Sequence, residues 1–386
     1  MRVLVCPQEF KGSLSVHEAT AAIAAGVRRA LPQAEVVEAP MADGGPGTLE
    51  VLRAARGGEL ITGSYRGPMG DPVEAAFALL PGSAGAPLTA VIEAAATAGL
   101  SLVPALRRDP GDTSTYGVGE QIAEALRRGA RRLIVGVGGT GTNDGGAGAA
   151  QGLGYRLLDG RGRDLPRGPL GLHWLSRIDA TGVHAALAEA EVIVAADVTN
   201  RLLGLEGATT IFGRQKGVTF AHSHRIEAAL AHWAAIAGRD LGVSIATLEG
   251  GGAGGGLAAG LAATCHASIG SGASVVAEAI GLRGQIEACD FVVTGEGQLD
   301  GQTARGKTVA FIAALAGELG RPCYAVAGRV AERPDGLADI EESGAGYSLD
   351  EAISRGASLV EAAAERLALR LSEIAGAAPS GAAAGL

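Results

Sequence analysis

A two-domain α/β fold is predicted from three features of the sequence. Short β-rich runs alternate with segments whose apolar residues recur at helical spacing, the pattern of parallel strands covered by helices. The alternation breaks once, at ELITGSYRGPMGDPVEAAFALL (59–80), where two alternating segments flank GPMGDP and read as an antiparallel hairpin. The length, 386 residues, suits two domains better than one. The first two strands and the last three are therefore expected to form a five-stranded parallel sheet of flavodoxin type, three layers deep. Residues 1–60 and 285–386 would build that domain, with 61–284 inserted as a second α/β domain.

Taken in order, RVLVCP (2–7) is a short β-rich run, and KGSLSVHEATAAIAAGVRRALP a helix stopped by proline. EVVEAPMADGG gives a second strand opening into a glycine-rich loop, and the hairpin follows. GVGEQIAEALRRGA is an amphipathic helix, RRLIVGVGG a strand, and TNDGGAGAAQGLGY a glycine-rich turn entering a helix. EVIVAADVTN is a strand ending in polar residues, and EGGGAGGGLAAGLAATC a glycine loop entering a small-residue helix. DFVVTGEG, a helix around KTVAFIAALAGELG, the strand PCYAVAGRV, a last strand near GYSL and a closing helix complete the series. PSGAAAGL is expected to be a frayed tail.

Composition excludes several classes. The net charge of -9 is spread without acidic or basic blocks, and with no basic stripe and few aromatics a nucleic-acid role has no support. No apolar stretch is long and unbroken enough to span a membrane, and MRVLVCPQEFKGS is too short an apolar run for a signal peptide. Cys6, Cys265, Cys289 and Cys323 form no C-x-x-C pair, so they read as buried reduced thiols of a soluble cytoplasmic protein. His222 and His224 have no ligand partners in the nearby sequence and read as surface residues. No nucleophile elbow or Cys/His pairing supports covalent catalysis.

The chemistry is expected at strand ends, because open parallel sheets bind ligands outside the carboxyl ends of their strands. Five predicted strands run into polar, glycine-rich segments there: QEFKGSLS, MADGGPGT, TGTNDGGAG, VTN and GEGQLDGQTARGK. Glycine lets backbone N–H groups approach an anion, and a following helix N-terminus favours negative charge, although tight packing between elements also calls for glycine. Asn143 and Asp144 add short polar side chains able to hold hydroxyls or Mg²⁺. Of 32 basic residues only Lys11, Lys216 and Lys307 are lysine, each beside a glycine, as expected where a compact ammonium on a flexible stem is needed. Asp197, closing a hydrophobic strand, is a candidate for base or metal work.

GQTARGKT (301–308) matches the phosphate-loop pattern G-x-x-x-x-G-K-T. Two features weigh against a true P-loop. GEGQLD lies between the predicted end of the preceding strand and Gly301, and the strand ending at Asp197 comes before the motif rather than after it.

The motifs FKGSLS, MADGG-x-GT, TNDGGAG, ADVTN, FG-x-QKG, GAGGGL and TGEG-x-x-DGQT-x-x-GK, in this order, resemble the type I glycerate kinases over residues 2–375. All three lysines lie inside them. The resemblance implies an ATP-dependent enzyme that phosphorylates D-glycerate to 2-phosphoglycerate. It also implies a flavodoxin-like domain from both chain ends, an inserted domain with a restriction-endonuclease-like core, and an active site in the cleft between them. Departures occur at Gln8 and Glu9 (usually Asp and Ser), Pro46 (usually Glu), Thr140 and Gly141 (usually Ser and Ala), and Arg201 (usually Pro).

From motif and resemblance together, the expected roles are these. Gly138, Gly139, Asn143, Gly145 and Gly295 would hold the ATP phosphates, with Lys307 and Lys216 neutralising them. Glu296 and Asp300 would bind Mg²⁺. Ser13, Asp43, Asn200 and Arg305 would hold glycerate, with Lys11 on its carboxylate, and Asp197, with Asp144 second, would orient or deprotonate the attacking hydroxyl. The partners are small molecules, and the protein a monomer or homodimer. A P-loop NTPase, a nucleotide-linked oxidoreductase and a binding protein without turnover are the competing readings.

Overall fold

In the computed structural model, residues 1–82, 85–300 and 308–377 are described. β1 (Arg2–Val5), α1 (Val16–Ala30) and β2 (Glu35–Glu38) open the chain, and α2 (Thr48–Arg56) leads into β3 (Glu59–Arg66), β4 (Pro72–Leu80) and β5 (Leu88–Glu93). Next come α3 (Ala95–Ala98), α4 (Tyr116–Arg127), β6 (Ala130–Gly136), α5 (Ala147–Gly152) and the two-stranded ribbon β7 (Arg156–Leu158) and β8 (Arg177–Asp179). β9 (Glu191–Ala195), α6 (Ala208–Phe212), α7 (Phe220–Asp240), α8 (Leu257–Cys265), β10 (Ser268–Gly270) and α9 (Gly272–Ile280) follow. The chain closes with α10 (Leu282–Glu287), β11 (Phe291–Leu299), α11 (Thr308–Glu318), β12 (Cys323–Val330), β13 (Leu337–Glu342), α12 (Leu349–Ser354) and α13 (Gly356–Ala377).

The chain divides into two units, Met1–Ala42 with Ala277–Leu386, and Asp43–Val276. In the first, five strands pair in the order β13-β12-β11-β1-β2, all parallel. Counted along the unit this is 2-1-3-4-5, the flavodoxin order that the strand rhythm predicts. Val3 and Val5 share a core with α1 and α13, through Ile23, Val27, Val360 and Leu367. Leu4, of opposite parity, and the buried Val309 and Ile312 of α11 belong to the other layer. Helix α1 starts where it does because Ser15 and Glu18 form a capping box, which stabilises a helix start by about 1 kcal/mol.

The second unit is built on a six-stranded sheet, β10-β9-β6-β5-β4-β3. β3, β4 and β5 pair antiparallel, which realises the predicted hairpin, while β5, β6, β9 and β10 run parallel. Its core gathers Phe77, Ile92, Leu133 and Val194 with Ile122 of α4, Trp233 of α7 and Leu257 of α8. All four cysteines are buried and free, and burial pushes the Cys265 thiol up to about 12.

Several expectations are corrected. The division falls after residue 42 and before 277 instead of at 60 and 284, because α2 packs on β4 and β5. β11 continues through the glycine-rich GEGQL to Leu299, where it still pairs with Val330. Its glycines sit where other backbone crowds the strand: a Cβ on Gly297 would lie 3.1 Å from the Lys11 nitrogen. The last strand is LADIEE, not GYSL; Ser348 of the latter instead caps α12.

Candidate active site at the carboxyl ends of the strands

In the Asp43–Val276 unit, Glu93, Gly136 and Ala195 form one row across β5, β6 and β9 at the carboxyl edge of the sheet. The turn DGGPG (43–47) lies along this row. Gly44 approaches so closely that a Cβ would stand 2.6 Å from the Ala195 carbonyl oxygen, and one on Gly138 would stand 2.8 Å from the Gly45 Cα. Here glycine is required on both sides of a backbone crossing. Gly44 also holds a φ of +83°, which side-chain-bearing residues avoid.

Asp197 lies two residues beyond the row. Its Oδ1 accepts hydrogen bonds from the Gly272 N–H (2.7 Å) and the Ser271 hydroxyl (3.1 Å), at the start of α9. Its Oδ2 is buried and has no hydrogen-bond partner among the described residues. Burial and the negative charge of Asp43 push the carboxyl up to about 6, against the partial relief of the bonds to the α9 start. A carboxylate with one oxygen anchored, one unoccupied and a pKa near neutrality is equipped to take a proton.

Asp144 is placed differently. It is fully buried and accepts from the Thr115 N–H (2.8 Å), the Thr115 hydroxyl, and the N–H groups of Gly146 and Gly148 (both 3.1 Å). These donors bind it into the start of α5, and burial still raises its pKa. Lys216 is 3 % exposed, with Nζ donating to the Thr142 carbonyl (2.8 Å) and the Thr140 hydroxyl (3.3 Å). Desolvation lowers it to about 8, and attraction to Asp144 works against that shift. Asn143 donates to the Thr209 hydroxyl at 3.0 Å, while its Oδ1 and the Thr142 hydroxyl are buried with no hydrogen-bond partner among the described residues. Asn200 donates to the Glu206 carbonyl at 2.8 Å.

The glycines of the 138–146 loop divide between two tasks. Gly138 and Gly139 lie against the Gly44–Pro46 turn. Gly145 and Gly146 serve the crossing of α5 and α8, where a Cβ on Gly260 would meet the Gly145 carbonyl at 2.5 Å. Gly145 also accepts the Trp233 indole N–H at 3.0 Å, so its carbonyl is committed to the core.

In the unit formed by both chain ends, the segment after β1 follows β11: Cys6 and Gln8 donate to the Val293 and Gly295 carbonyls at 2.9 and 2.8 Å. Lys11 is exposed beside Gly12, whose φ is +79°. Ser13 donates to the Ile353 carbonyl at 3.0 Å, at the end of α12. Gly295 and Glu296 lie within β11, with Asp300 directly after it. Arg305 and Lys307 lie outside the described residues, as does GQTARGK itself. β11 runs to Leu299, so the strand ends nearer to Gly301 than the sequence reading placed it, and α11 is described from Thr308. That removes the objection based on distance from the strand.

Sequence reasoning missed Glu93, Thr115 and Ser271. Glu93 ends a strand in VIEAAA, and a carboxylate closing an apolar run was the available signal. Nothing in the sequence shows that Thr115 meets Asp144, 29 positions away.

The model of the glycerate kinase family matches residues 3–376. A glycerate kinase of Halalkalibacterium halodurans is 40% identical over 376 residues, covering 95% of this chain and 97% of that one. The glycerate 2-kinase of Escherichia coli K12 is 40% identical over 332 residues, 86% of each chain. A crystal structure assigned as glycerate kinase 2 from Salmonella typhimurium LT2 superposes with a TM-score of 0.86 at 38% identity, covering 97% of this chain and 99% of that one. The chain is a kinase of the glycerate kinase family.

Proposed function

We propose that the protein transfers the γ-phosphoryl group of ATP to the 2-hydroxyl of D-glycerate, giving 2-phosphoglycerate and ADP. Family membership supports the reaction, and the half-anchored Asp197 carboxylate supports the chemistry. The glycerate hydroxyl oxygen forms the new bond to phosphorus and its proton passes to Asp197. The bond from the γ-phosphorus to the bridging oxygen breaks, and ADP leaves with that electron pair. Ser271 and the Gly272 N–H hold the carboxylate in place. Burial, with the negative charge of Asp43 beside it, keeps it basic enough to accept a proton near neutral pH.

Asp144 fits an architectural role better than that of a second base, since its bonds to Thr115, Gly146 and Gly148 leave no oxygen for substrate. Lys216, bonded to the Thr142 carbonyl, supports the 138–145 loop from within; of the loop's phosphate candidates Gly139 stays exposed, while the Gly138 N–H donates to the Gly44 carbonyl and Asn143 is buried. Lys307, which lies outside the described residues, is assigned to the phosphates together with Gly295. Lys11 and Arg305 are assigned to the glycerate carboxylate, with Ser13, Asp43 and Asn200 on its hydroxyls.

Among the described residues no group of three His, Cys, Asp or Glu side chains could hold a metal. Mg²⁺ needs no such group, since it is usually held by one or two carboxylates plus substrate phosphates. Glu296 and Asp300 offer hard oxygen donors of that kind at the end of β11. The ion would neutralise charge on the transferring phosphoryl group.

We assign the protein to the cytoplasm, where its four free thiols would stay reduced. Among the described residues no helix is long and apolar enough to cross a membrane. A coupled ADP-release assay with D-glycerate, followed by phosphorus NMR of the product, tests the proposal. Glycerate-dependent turnover to the 2-phosphate is expected. ADP release without an acceptor, a 3-phosphate product, or no turnover would each overturn it.

A further inference from the structure

The turn that brings Asp43 to Asp197 is anchored at its other end by a residue that neither motif nor chemistry assigns. Glu93, the last residue of β5, accepts the Leu49 N–H at 2.8 Å. The Gly47 and Thr48 N–H groups also favour the ionised form of its carboxylate, which burial otherwise opposes. These are first-turn donors of α2, a helix whose own N-cap is Gly47, with a φ of 94° and no capping side chain. A carboxylate from a neighbouring strand thus does the work of a cap, satisfying orphan N–H groups and the positive end of the helix dipole.

The consequence reaches across the sheet. From Glu93 the chain runs back through Gly47, Gly45 and Gly44, over Gly138 and Ala195, to Asp43. Asp43 is confined there, since a Cβ on Gly272 would overlap its carbonyl. Its own Oδ1 accepts the Gly45 N–H at 3.1 Å, which ties the side chain to the same turn. Glycine-rich backbone has little stiffness of its own, so the position of the turn depends on what holds its ends.

We propose that Glu93 is a positioning residue for phosphoryl transfer: by holding the first turn of α2 it fixes the Asp43–Gly47 turn, and so the placement of Asp43 beside Asp197. This rests on the reading of Asp197 as the base. The charged group facing Asp197 is Asp43, on the turn; α9 presents Ser271 and the backbone of Gly272 and Ala273. Releasing the turn relaxes the repulsion from Asp43 and lets Asp197 ionise at lower pH.

The test compares wild type, Glu93→Ala, Glu93→Gln and Asp197→Asn by ADP release with D-glycerate from pH 5 to 9. In Glu93→Ala kcat should fall roughly 10- to 10²-fold, as for a misplaced reacting group. The midpoint of its acidic limb should move down by about half a unit or more. Glu93→Gln keeps an acceptor for α2 and should restore most of kcat and the wild-type midpoint. A limb that stays in place in Glu93→Ala, whatever happens to kcat, reduces Glu93 to a helix cap and overturns the inference. An equal shift in Glu93→Gln also overturns it, because charge and not position would then be the cause. If Glu93→Ala does not fold, Glu93→Gln decides: wild-type kcat and limb support positioning, and a shifted limb overturns it. A limb that survives in Asp197→Asn overturns the base reading itself, a result distinct from failure of the Glu93 arms.

Discussion

Asp197→Asn should cost activity and add stability. The folded carboxyl sits at about 6 against an ordinary 3.8, about two units, and at about 1.36 kcal/mol per unit the charged form is disfavoured by about 3 kcal/mol. Water reaching the part-exposed side chain reduces this to roughly 1–3 kcal/mol. Asparagine keeps an Oδ1 for the Ser271 hydroxyl and the Gly272 N–H, so the local bonds survive while the repulsion from Asp43 disappears. Between pH 3.8 and about 6 the native state binds the proton more tightly than the unfolded chain. The wild-type contribution is therefore present at low pH and lost as pH rises through about 6. The advantage of Asn over Asp should accordingly be small below pH 3.8, about half developed at pH 5 and full at pH 8. For a unit of this size it corresponds to a Tm higher by roughly 2–10 °C. Removing a positioned base typically costs 10²–10⁴ in kcat, so activity should fall by about that factor. Differential scanning fluorimetry at both pH values and the coupled ADP assay read the two effects. A variant with kcat within about threefold of wild type, or with a lower Tm at pH 8, would falsify the picture of a strained catalytic carboxylate.

Three further outcomes follow from neighbouring geometry. Asp43→Asn removes the charge facing Asp197, so the acidic limb of kcat/KM, expected at about 6 in wild type, should shift down; a limb that stays put removes Asp43 from this role. Lys216 ionises at about 8 in the fold against 10.5 when free, so the unfolded chain binds more protons across that window. Wild-type Tm should therefore gain on Lys216→Met as pH rises from 8 to 10, and parallel curves would refute the depressed pKa. Gly260→Ala, with its Cβ 2.5 Å from the Gly145 carbonyl, should lose about 1–3 kcal/mol in denaturant titration. Gly238→Ala in α7, where the nearest atom is 3.9 Å away, should gain about 0.5–1 kcal/mol, and equal effects at the two sites would show that the crossing is not tight.

The parallel sheet of the chain-end unit was legible because strands buried on both faces read as continuous apolar runs, and RVLV, FVVT and CYAVA do so. β13 was not, because LADIEE is an edge strand whose acids pair with Arg366 and Arg370 of α13 instead of following an apolar pattern. The unit boundary was hidden for a different reason: α2 looks like a helix of either unit until its contacts with β4 and β5 are known. At the site, Asp43, Asn143, Asp144 and Asp197 were visible as polar residues near strand ends, and Lys216 as one of three glycine-flanked lysines. Their division of labour was not, because it depends on which oxygen atoms are already occupied. Asp144 and Asp197 look equivalent in sequence and differ in that every bond offered to Asp144 comes from the fold.

Glycine shows the same limit more sharply. A chain with 62 glycines offers many apparent phosphate loops, and close packing calls for the same residue as anion binding does. Gly145, Gly146 and Gly260 answer to the crossing of α5 and α8, and Gly44, Gly136 and Gly138 to the turn laid over the sheet edge. The stretch GQTARGKT is weighed by the same standard, since what separates a phosphate loop from a chance match is its context of strand, loop and helix. A strand taken to end at Thr294 argues against it; β11 instead runs to Leu299, and α11 is described from Thr308, with 301–307 outside the described residues. The sheet order around it is nonetheless the 2-1-3-4-5 of a flavodoxin-like unit, and the whole chain matches a family of kinases. The motif therefore counts as a strand-end phosphate candidate inside that fold, and its lysine is to be tested as one member of a set spread over several strand ends.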